Sequence, residues 1–333
     1  MATKRTDDRN KSDLDKSMEM LSKAVVDLVT EEKTDEIEKK ILGTVETKVD
    51  DFINAKYGYI ERKVKVTVDD EKPVKLKGVV HEKFDEVLKF VKQNEPVYLV
   101  GASGTGKSEL CKQIAETLDL DFYFTNCVTR EHQIDGFTDA VGQYHETQFY
   151  KAFTNGGIFF LDEIDASIPE VLVKLNGAIA NGWYDFPAPI GKKDAHKDFR
   201  VVSAGNTYGY GASAEYVGRN QLDFASLDRF AVIEIDYSKE IERAVTKNNK
   251  DLMCFSRDFR KSAIEQGIQT VLSYRGMGRI AKMEKLLGIE ETLKTCLVKG
   301  LDRDDVNMIL DKMTLIDSNK YKQALRKVAE TLE

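Results

Sequence analysis

The sequence predicts an α/β protein whose parallel five-stranded sheet is flanked by helices and followed by an all-helical C-terminal part. Five short apolar runs, at residues 97–100, 122–124, 158–161, 201–204 and 231–235, alternate with helical or turn-rich segments. The first run leads directly into a glycine-rich loop, and after Tyr237 the pattern is helical to the end. Buried strands that alternate with helices form a parallel sheet covered on both faces.

The N-terminal region, residues 1–78, differs from the rest in composition. Of the first 90 residues 40 are charged, against 67 of the other 243, which predicts a separate small region. Apolar residues recur at helical spacing from Leu14 to Leu28 and from Ile37 to Phe52, which predicts two helices. Valines that alternate with charged residues from Val64 onward predict a β-hairpin after them.

Length, charge and cysteine content exclude several classes of protein. A chain of 333 residues with 41% apolar residues and 5 prolines is neither disordered throughout nor collagen-like. No stretch approaches 18 uncharged apolar residues and the N-terminus is polar, so we expect no membrane span and no secretory signal. The net charge of −7 argues against a protein that coats nucleic acid. Four scattered cysteines indicate reduced thiols and a cytoplasmic location.

Residues 101–108, Gly-Ala-Ser-Gly-Thr-Gly-Lys-Ser, match the phosphate-loop pattern GxxxxGK[ST] without a mismatch. Its glycines let backbone N–H groups turn inward around a β-phosphate, where side chains would collide. We expect Lys107 to reach the β- and γ-phosphates and the Ser108 hydroxyl to ligate Mg²⁺. A plain glycine-rich turn is the structural alternative, but the strand before it and the helix after it are the context that a phosphate loop requires. The predicted nucleotide-binding residues are Gly101, Ala102, Ser103, Gly104, Thr105, Gly106, Lys107, Ser108 and Glu109.

A second motif, Ile-Phe-Phe-Leu-Asp-Glu at residues 158–163, describes a buried strand that ends in two acids. Such a strand delivers carboxylates to the carboxyl edge of a parallel sheet, where ligands bind. We expect Asp162 to hold Mg²⁺ through water and Glu163 to act as general base on the attacking water. An ordinary acidic turn is the structural alternative. The metal site is therefore predicted at Ser108 and Asp162.

These two motifs, in this order and ahead of a helical segment, resemble the AAA+ ATPases. Gly156-Gly157, the segments 181–187 and 198–206, and the run Leu-Asp-Arg-Phe at residues 227–230 resemble the MoxR type. Within that type the sequence is most similar to the cobaltochelatase-subunit (CobS-like) and dynein-related branch, including phage-borne versions. The resemblance spans residues 80–290 and implies a P-loop NTPase domain at 79–237 and a helical lid domain at 238–333.

The resemblance implies further catalytic roles. Asn206 corresponds to the first sensor, which positions the water or reads the γ-phosphate, although it could be a plain turn residue. Arg229 corresponds to the arginine finger offered to the ATP of a neighbouring subunit, with Arg219 as the alternative in the same loop. Arg275 corresponds to the second sensor at the start of a lid helix, with Arg279 as the alternative. Two insertions, residues 129–151 and 183–200, resemble projections that contact the client, although each could be a surface hairpin.

The implied activity is an ATPase that converts ATP and water to ADP and phosphate, with ATP and Mg²⁺ as cofactors. A finger supplied by a neighbour implies a homo-oligomer, and the resemblance implies a hexameric ring. We interpret the chain as a chaperone-type ATPase that remodels or loads a partner protein, with a von Willebrand-domain protein as the expected partner. The alternatives are an ATP-gated assembly or recruitment module with incidental turnover, and a nucleic-acid-associated motor.

Overall fold

The computed structural model describes residues 78–212 and 216–332. The two helices and the β-hairpin predicted before residue 78 lie outside these described residues.

The described strands form one five-stranded sheet and two hairpins. They are β1 (Val97–Val100), β2 (Phe122–Thr125), β3 (Phe137–Thr138), β4 (Tyr144–His145), β5 (Gly157–Leu161), β6 (Trp183–Phe186), β7 (Gly191–Asp194), β8 (Phe199–Gly205) and β9 (Ala231–Glu234). The central sheet has the order β2-β5-β8-β1-β9, and its neighbouring strands are all parallel. The predicted five-stranded parallel sheet is therefore confirmed.

Helices cover both faces of this sheet and continue after its last strand. In the α/β part they are α1 (Phe84–Lys92), α2 (Lys107–Leu118), α3 (His132–Asp135), α4 (Gln148–Asn155), α5 (Pro169–Asn181) and α6 (Phe224–Leu227). After β9 follow α7 (Lys239–Val245), α8 (Lys250–Glu265), α9 (Tyr274–Leu287), α10 (Ile289–Cys296), α11 (Arg303–Lys312) and α12 (Lys320–Glu330). No helix among the described residues is long and apolar enough to cross a membrane.

The apolar runs form strands because both faces of the sheet are covered. All four residues of β1 and all five of β5 are buried, so these strands carry continuous apolar side chains instead of an alternating pattern. Two cores result, one on each face of the sheet. A third core lies among α7–α12 and includes Phe255, Phe259 and Tyr321, which are all fully buried. The α/β fold with C-terminal helices is that of an AAA+ P-loop NTPase.

The two insertions fold as antiparallel hairpins. In the first, β3 pairs with β4, and Val141 at the turn between them is 87% exposed. In the second, β6 pairs with β7, and Lys192 lies 4.3 Å from the ring centroid of the half-exposed Trp183. The Thr138 hydroxyl donates a hydrogen bond to the carbonyl of Ala188, which joins the two hairpins.

Candidate nucleotide-binding site

The glycine-rich loop lies between β1 and α2, at the carboxyl edge of the sheet. A side chain at position 101 would collide with the backbone, because a Cβ there would lie 2.0 Å from the carbonyl oxygen of Ile235, so the position requires Gly101. Position 104 requires glycine both for its backbone angle and because a side chain would collide with a neighbour. Its φ is +75°, and a Cβ there would lie 2.5 Å from the Cβ of Ser273, the N-cap residue of α9. The loop is therefore enclosed by the last sheet strand on one side and by the C-terminal helices on another.

Lys107 begins α2, and its ammonium group points into the loop. The side chain is buried, and Nζ donates hydrogen bonds to the carbonyls of Gly101 (2.7 Å) and Ala102 (3.0 Å). It also donates to Oδ1 of Asn206 at 3.2 Å, so the predicted phosphate-binding lysine and the predicted first sensor are in contact. Burial lowers the pKa of Lys107 to about 8, while Asp162 and Asp165 act in the opposite direction.

Ser108 and Asp162, the two residues predicted to hold a metal ion, lie next to each other. The Ser108 hydroxyl donates to Oδ2 of Asp162 over 3.3 Å, and Oδ1 of the same carboxyl accepts from the backbone N–H of Glu163. Burial raises the pKa of Asp162, and the hydrogen bonds and Lys107 partly oppose this rise. A hydroxyl and a carboxylate at this distance are oxygen ligands of the kind that Mg²⁺ takes, with water completing its shell. The residues present fit a magnesium ion.

Glu163 follows directly and has an unusual backbone. Its φ of 53° and ψ of 43° lie in the left-handed region, which a residue with a side chain adopts at an energetic cost. The side chain is 41% exposed, and its Oε1 lies 3.4 Å from Nη2 of Arg219. This conformation turns the chain sharply after β5 and leaves the carboxylate at the open side of the site, where a water molecule can reach it.

Asp165 lies under the site and was not among the predicted site residues. It is fully buried, and its Oδ2 accepts hydrogen bonds from the backbone N–H groups of Asn206 (3.0 Å) and Thr207 (2.9 Å) and from the Thr207 hydroxyl. With Oδ2 occupied and no exposure to solvent, Asp165 is unsuited to activating a water. It fixes the end of β8 and with it the position of Asn206.

Arg275 is brought to the loop by the start of α9. The Ser273 side chain caps this helix by accepting from the N–H of Gly276, and Tyr274 packs under it. A Cβ at Gly104 would lie 3.7 Å from Nε of Arg275, so the guanidinium borders the phosphate loop. Arg279, the alternative, lies one turn further along the same helix and is also exposed.

The two arginines proposed for the finger have different surroundings. Arg229 is exposed and donates to the carbonyl of Ala225 within its own short helix and turn. Arg219 has a side chain only 11% exposed, and it lies beside Glu163 and Asp165 of its own chain. The described contacts bring Arg219, and not Arg229, to the site of the same chain.

Two tyrosines hold the backbone of the loop at Ser103. The Tyr216 hydroxyl accepts from the N–H of Ser103 at 3.1 Å, and the Tyr237 hydroxyl donates to its carbonyl at 3.1 Å. Neither residue was predicted to belong to the site. No sequence pattern indicates them, because they lie 113 and 134 residues from Ser103 along the chain.

Comparison with known families agrees with this geometry. The sequence model of the AAA domain, dynein-related subfamily, matches residues 96–230. Residues 96–230 are therefore similar to an AAA domain. The match includes the glycine-rich loop, the acidic strand, Asn206 and Arg229, whereas Arg275 lies beyond it. It supports the AAA part of the predicted resemblance, and the narrower MoxR and CobS-like assignment and the phage origin stay predictions.

Relatives of the whole chain are distant. An uncharacterized protein of Staphylococcus aureus strain COL is 26% identical over 261 residues, which cover 74% of this chain and 94% of the relative. One from strain USA300 is 24% identical over 247 residues, with 66% and 89% covered. Among solved structures, a proposed ATPase of Cytophaga hutchinsonii is 16% identical with a TM-score of 0.40, covering 72% of this chain and 92% of its own. NtrX of Brucella abortus in complex with ATP is 15% identical with a TM-score of 0.40, and 77% and 61% are covered.

Proposed function

We propose that this protein binds ATP with Mg²⁺ and hydrolyses it to ADP and phosphate. The observation that carries the proposal is the convergence of three strand ends on one loop. There the Lys107 ammonium donates to the amide oxygen of Asn206, and the Ser108 hydroxyl donates to the carboxylate of Asp162. An AAA domain over these residues supports the same activity.

Each residue has a distinct task in this proposal. Backbone N–H groups of residues 101–109 and Lys107 bind the phosphates. Ser108 and Asp162 would hold Mg²⁺, which when bound neutralises charge on the β- and γ-phosphates. Glu163 accepts the proton of the attacking water, and Asn206 orients that water. Arg275 approaches the phosphates from the lid side, and Arg229 of a neighbouring subunit stabilises the charge that develops on the transferred phosphoryl group.

We further propose that the chain acts as a homo-oligomeric ring, with six subunits expected, that remodels or loads a partner protein in the cytoplasm. The exposure of Arg229 supports a role at a subunit boundary. The two joined hairpins offer exposed apolar and aromatic side chains, Val141 and Trp183, which support contact with a client. The four cysteines lie among the described residues and form no disulfide, which fits a reducing compartment. A von Willebrand-domain protein is the partner that we expect from the family resemblance.

The test of hydrolysis is phosphate release from Mg-ATP by the purified full chain. Glu163→Gln keeps the phosphate ligands and the metal ligands, so we expect it to bind a fluorescent ATP analogue with wild-type affinity and to lose hydrolysis. Wild-type turnover in that variant would mean that the base lies elsewhere. Asp165 is unsuited to that role, because it is fully buried and its Oδ2 already accepts three hydrogen bonds.

The test of the partner class compares stimulation of the ATPase. A client or a von Willebrand-domain protein, double-stranded DNA and buffer alone are added to the same preparation. Stimulation by protein supports remodelling, stimulation by DNA supports the nucleic-acid motor, and no stimulation supports the assembly module. Val141→Asp is expected to lower the ratio of client-stimulated to unstimulated rate, because the charge replaces an apolar side chain at the exposed hairpin turn.

A further inference from the structure

We propose that Arg219 is a positioning residue that acts within its own chain, where the buried Asp165 anchors its guanidinium so that it holds the carboxylate of Glu163. This inference rests on the proposed ATPase function, because Glu163 is the candidate base. Arg219 is the residue that the sequence offered as an alternative finger for a neighbouring subunit.

The buried position of Asp165 makes Arg219 its counter-charge. Its side chain has no exposure, and its Oδ1 atom accepts no hydrogen bond. Nη1 of Arg219 lies 3.4 Å from this atom and supplies the opposite charge. A buried carboxylate that loses its partner is strongly destabilising. If Arg219 moved into a neighbouring subunit, it would leave that carboxylate without its counter-charge, so the geometry favours a role inside the chain.

The loop that contains Arg219 is held by hydrogen bonds within the same chain. The next residue, Asn220, donates its backbone N–H to the carbonyl of Asp165 at 2.7 Å and its side-chain amide to the carbonyl of Ser167 at 3.0 Å. On the other side the guanidinium lies 5.9 Å from the ring centroid of Tyr216, whose hydroxyl contacts the phosphate loop. The bonds of Asn220 tie this loop to the segment that follows β5, and Tyr216 ties it to the phosphate loop of the same chain.

Arg219 also contacts Glu163. The same guanidinium uses Nη1 toward Asp165 and Nη2 toward Oε1 of Glu163, each over 3.4 Å. The fork geometry of arginine suits such a bridge between two carboxylates. Glu163 has a left-handed backbone and a partly exposed side chain, so without a partner its carboxylate can adopt several rotamers. Holding one of them places the base where the attacking water lies, and loss of that placement lowers the rate of the chemical step.

The experiment measures steady-state ATPase kinetics and thermal unfolding of the full chain. In Arg219→Gln we expect kcat to fall roughly 10- to 100-fold, while KM for ATP stays within about twofold. Arg219→Lys keeps the charge without the fork and should recover part of kcat. The matched control is Arg326→Gln on α12, which removes an exposed ion pair with Asp317.

A double variant separates positioning from stability. Arg219→Gln alone leaves Asp165 unpaired and should lower Tm by on the order of 5 °C. Adding Asp165→Asn removes that unpaired charge, so Tm should recover in part. Because the pair lies within one chain, this recovery should not change when the protein is diluted tenfold. The value of kcat should stay low, because Glu163 still has no partner. Wild-type or higher kcat in Arg219→Gln, or recovery of kcat together with Tm in the double variant, would overturn the proposal. An inactive wild-type chain would instead overturn the proposed ATPase function, and the Tm comparison would still measure the pair.

Discussion

The hydroxyl of Tyr237 donates a hydrogen bond to the carbonyl of Ser103 over 3.1 Å, so the connection between the sheet and the C-terminal helices touches the phosphate loop. The guanidinium of Arg260 lies over the ring of Tyr237, 4.0 Å from its centroid, and the same ring packs edge-on against Tyr274. Arg260 lies on α8 and Tyr274 on α9. One side chain therefore links the loop to two helices of the C-terminal part.

Removing that hydroxyl should loosen the loop without disturbing the packing of the ring. In Tyr237→Phe we expect the free energy of unfolding to fall by about 1 kcal/mol and the affinity for nucleotide to fall by up to about fivefold, because one loop carbonyl loses its donor. Urea denaturation and titration with a fluorescent ATP analogue measure the two effects. Tyr210→Phe is the matched control, since Tyr210 is 71% exposed. Equal changes in the two variants would contradict the link.

Stability should decline at alkaline pH because buried tyrosines resist ionisation. Burial raises the pKa of Tyr237 to about 12, and it is also the main cause of the raised pKa of Tyr98, Tyr184 and Tyr321. Unfolded tyrosines ionise near pH 10, so the unfolded chain binds fewer protons than the folded chain above that pH. The contribution is complete below about pH 10 and is lost as pH rises through about 12. Thermal melts across this range should show falling Tm, and a flat profile would contradict the burial of these groups.

The C-terminal helices should depend strongly on one buried carboxylate. Glu242 on α7 is 1% exposed and pairs with Nε of Arg257 at 2.6 Å and with the guanidinium of Arg260. Glu242→Ala leaves both guanidinium groups without this partner, and we expect it to cost roughly 3 kcal/mol in the free energy of unfolding. Glu290→Ala is the control, because its pair with Lys327 is exposed and screened by solvent, so almost no change is expected. A similar small loss in both variants would show that the buried network contributes little.

Nucleotide binding should depend on Lys107 more than on any neighbour on its helix. Lys107→Ala removes the buried ammonium that faces the loop carbonyls and Asn206, so we expect the affinity for ATP to fall at least tenfold. Lys112→Ala removes an exposed charge from the same helix and should leave the affinity unchanged. Undiminished binding in Lys107→Ala, measured by isothermal titration calorimetry, would contradict the assignment of residues 101–108 as the phosphate loop.

The strands and the phosphate loop could be predicted from the sequence because they depend on local patterns. The run Val97–Val100 is continuous and apolar, and the glycines after it permit the tight backbone turn of a phosphate loop. The role of Asp165 could not be predicted in this way. Its partners Asn206 and Thr207 lie 41 and 42 residues further along the chain, and they meet it only because β5 and β8 are neighbours in the sheet. The Tyr237–Ser103 bond spans 134 residues and depends on how the C-terminal helices close on the loop.

The last prediction concerns Arg229 and the sharing of sites between subunits. The residue is exposed and does not contact the loop of its own chain in any described bond, so a catalytic role requires a neighbour. We expect Arg229→Ala to bind nucleotide normally and to lose most hydrolysis, because the developing charge on the phosphoryl group lacks a cation. Arg219→Gln is predicted to be slow as well, but for a different reason, since its defect lies within the chain.

Mixing variants distinguishes the two mechanisms. Arg229→Ala and Glu163→Gln are each expected to be inactive, the first without a finger and the second without a base. In a mixed assembly, some boundaries combine the intact Glu163 of one chain with the intact Arg229 of its neighbour, and ATPase activity measured across mixing ratios should recover in part at those boundaries. A residue that acts only on its own chain predicts no recovery at any ratio. Full activity of Arg229→Ala alone would exclude Arg229 as the finger. Arg219 would not replace it, because Arg219 is bound to Asp165 within its own chain. The cation that acts on the neighbouring subunit would then have to be another exposed arginine, and Arg279 would be the first to test.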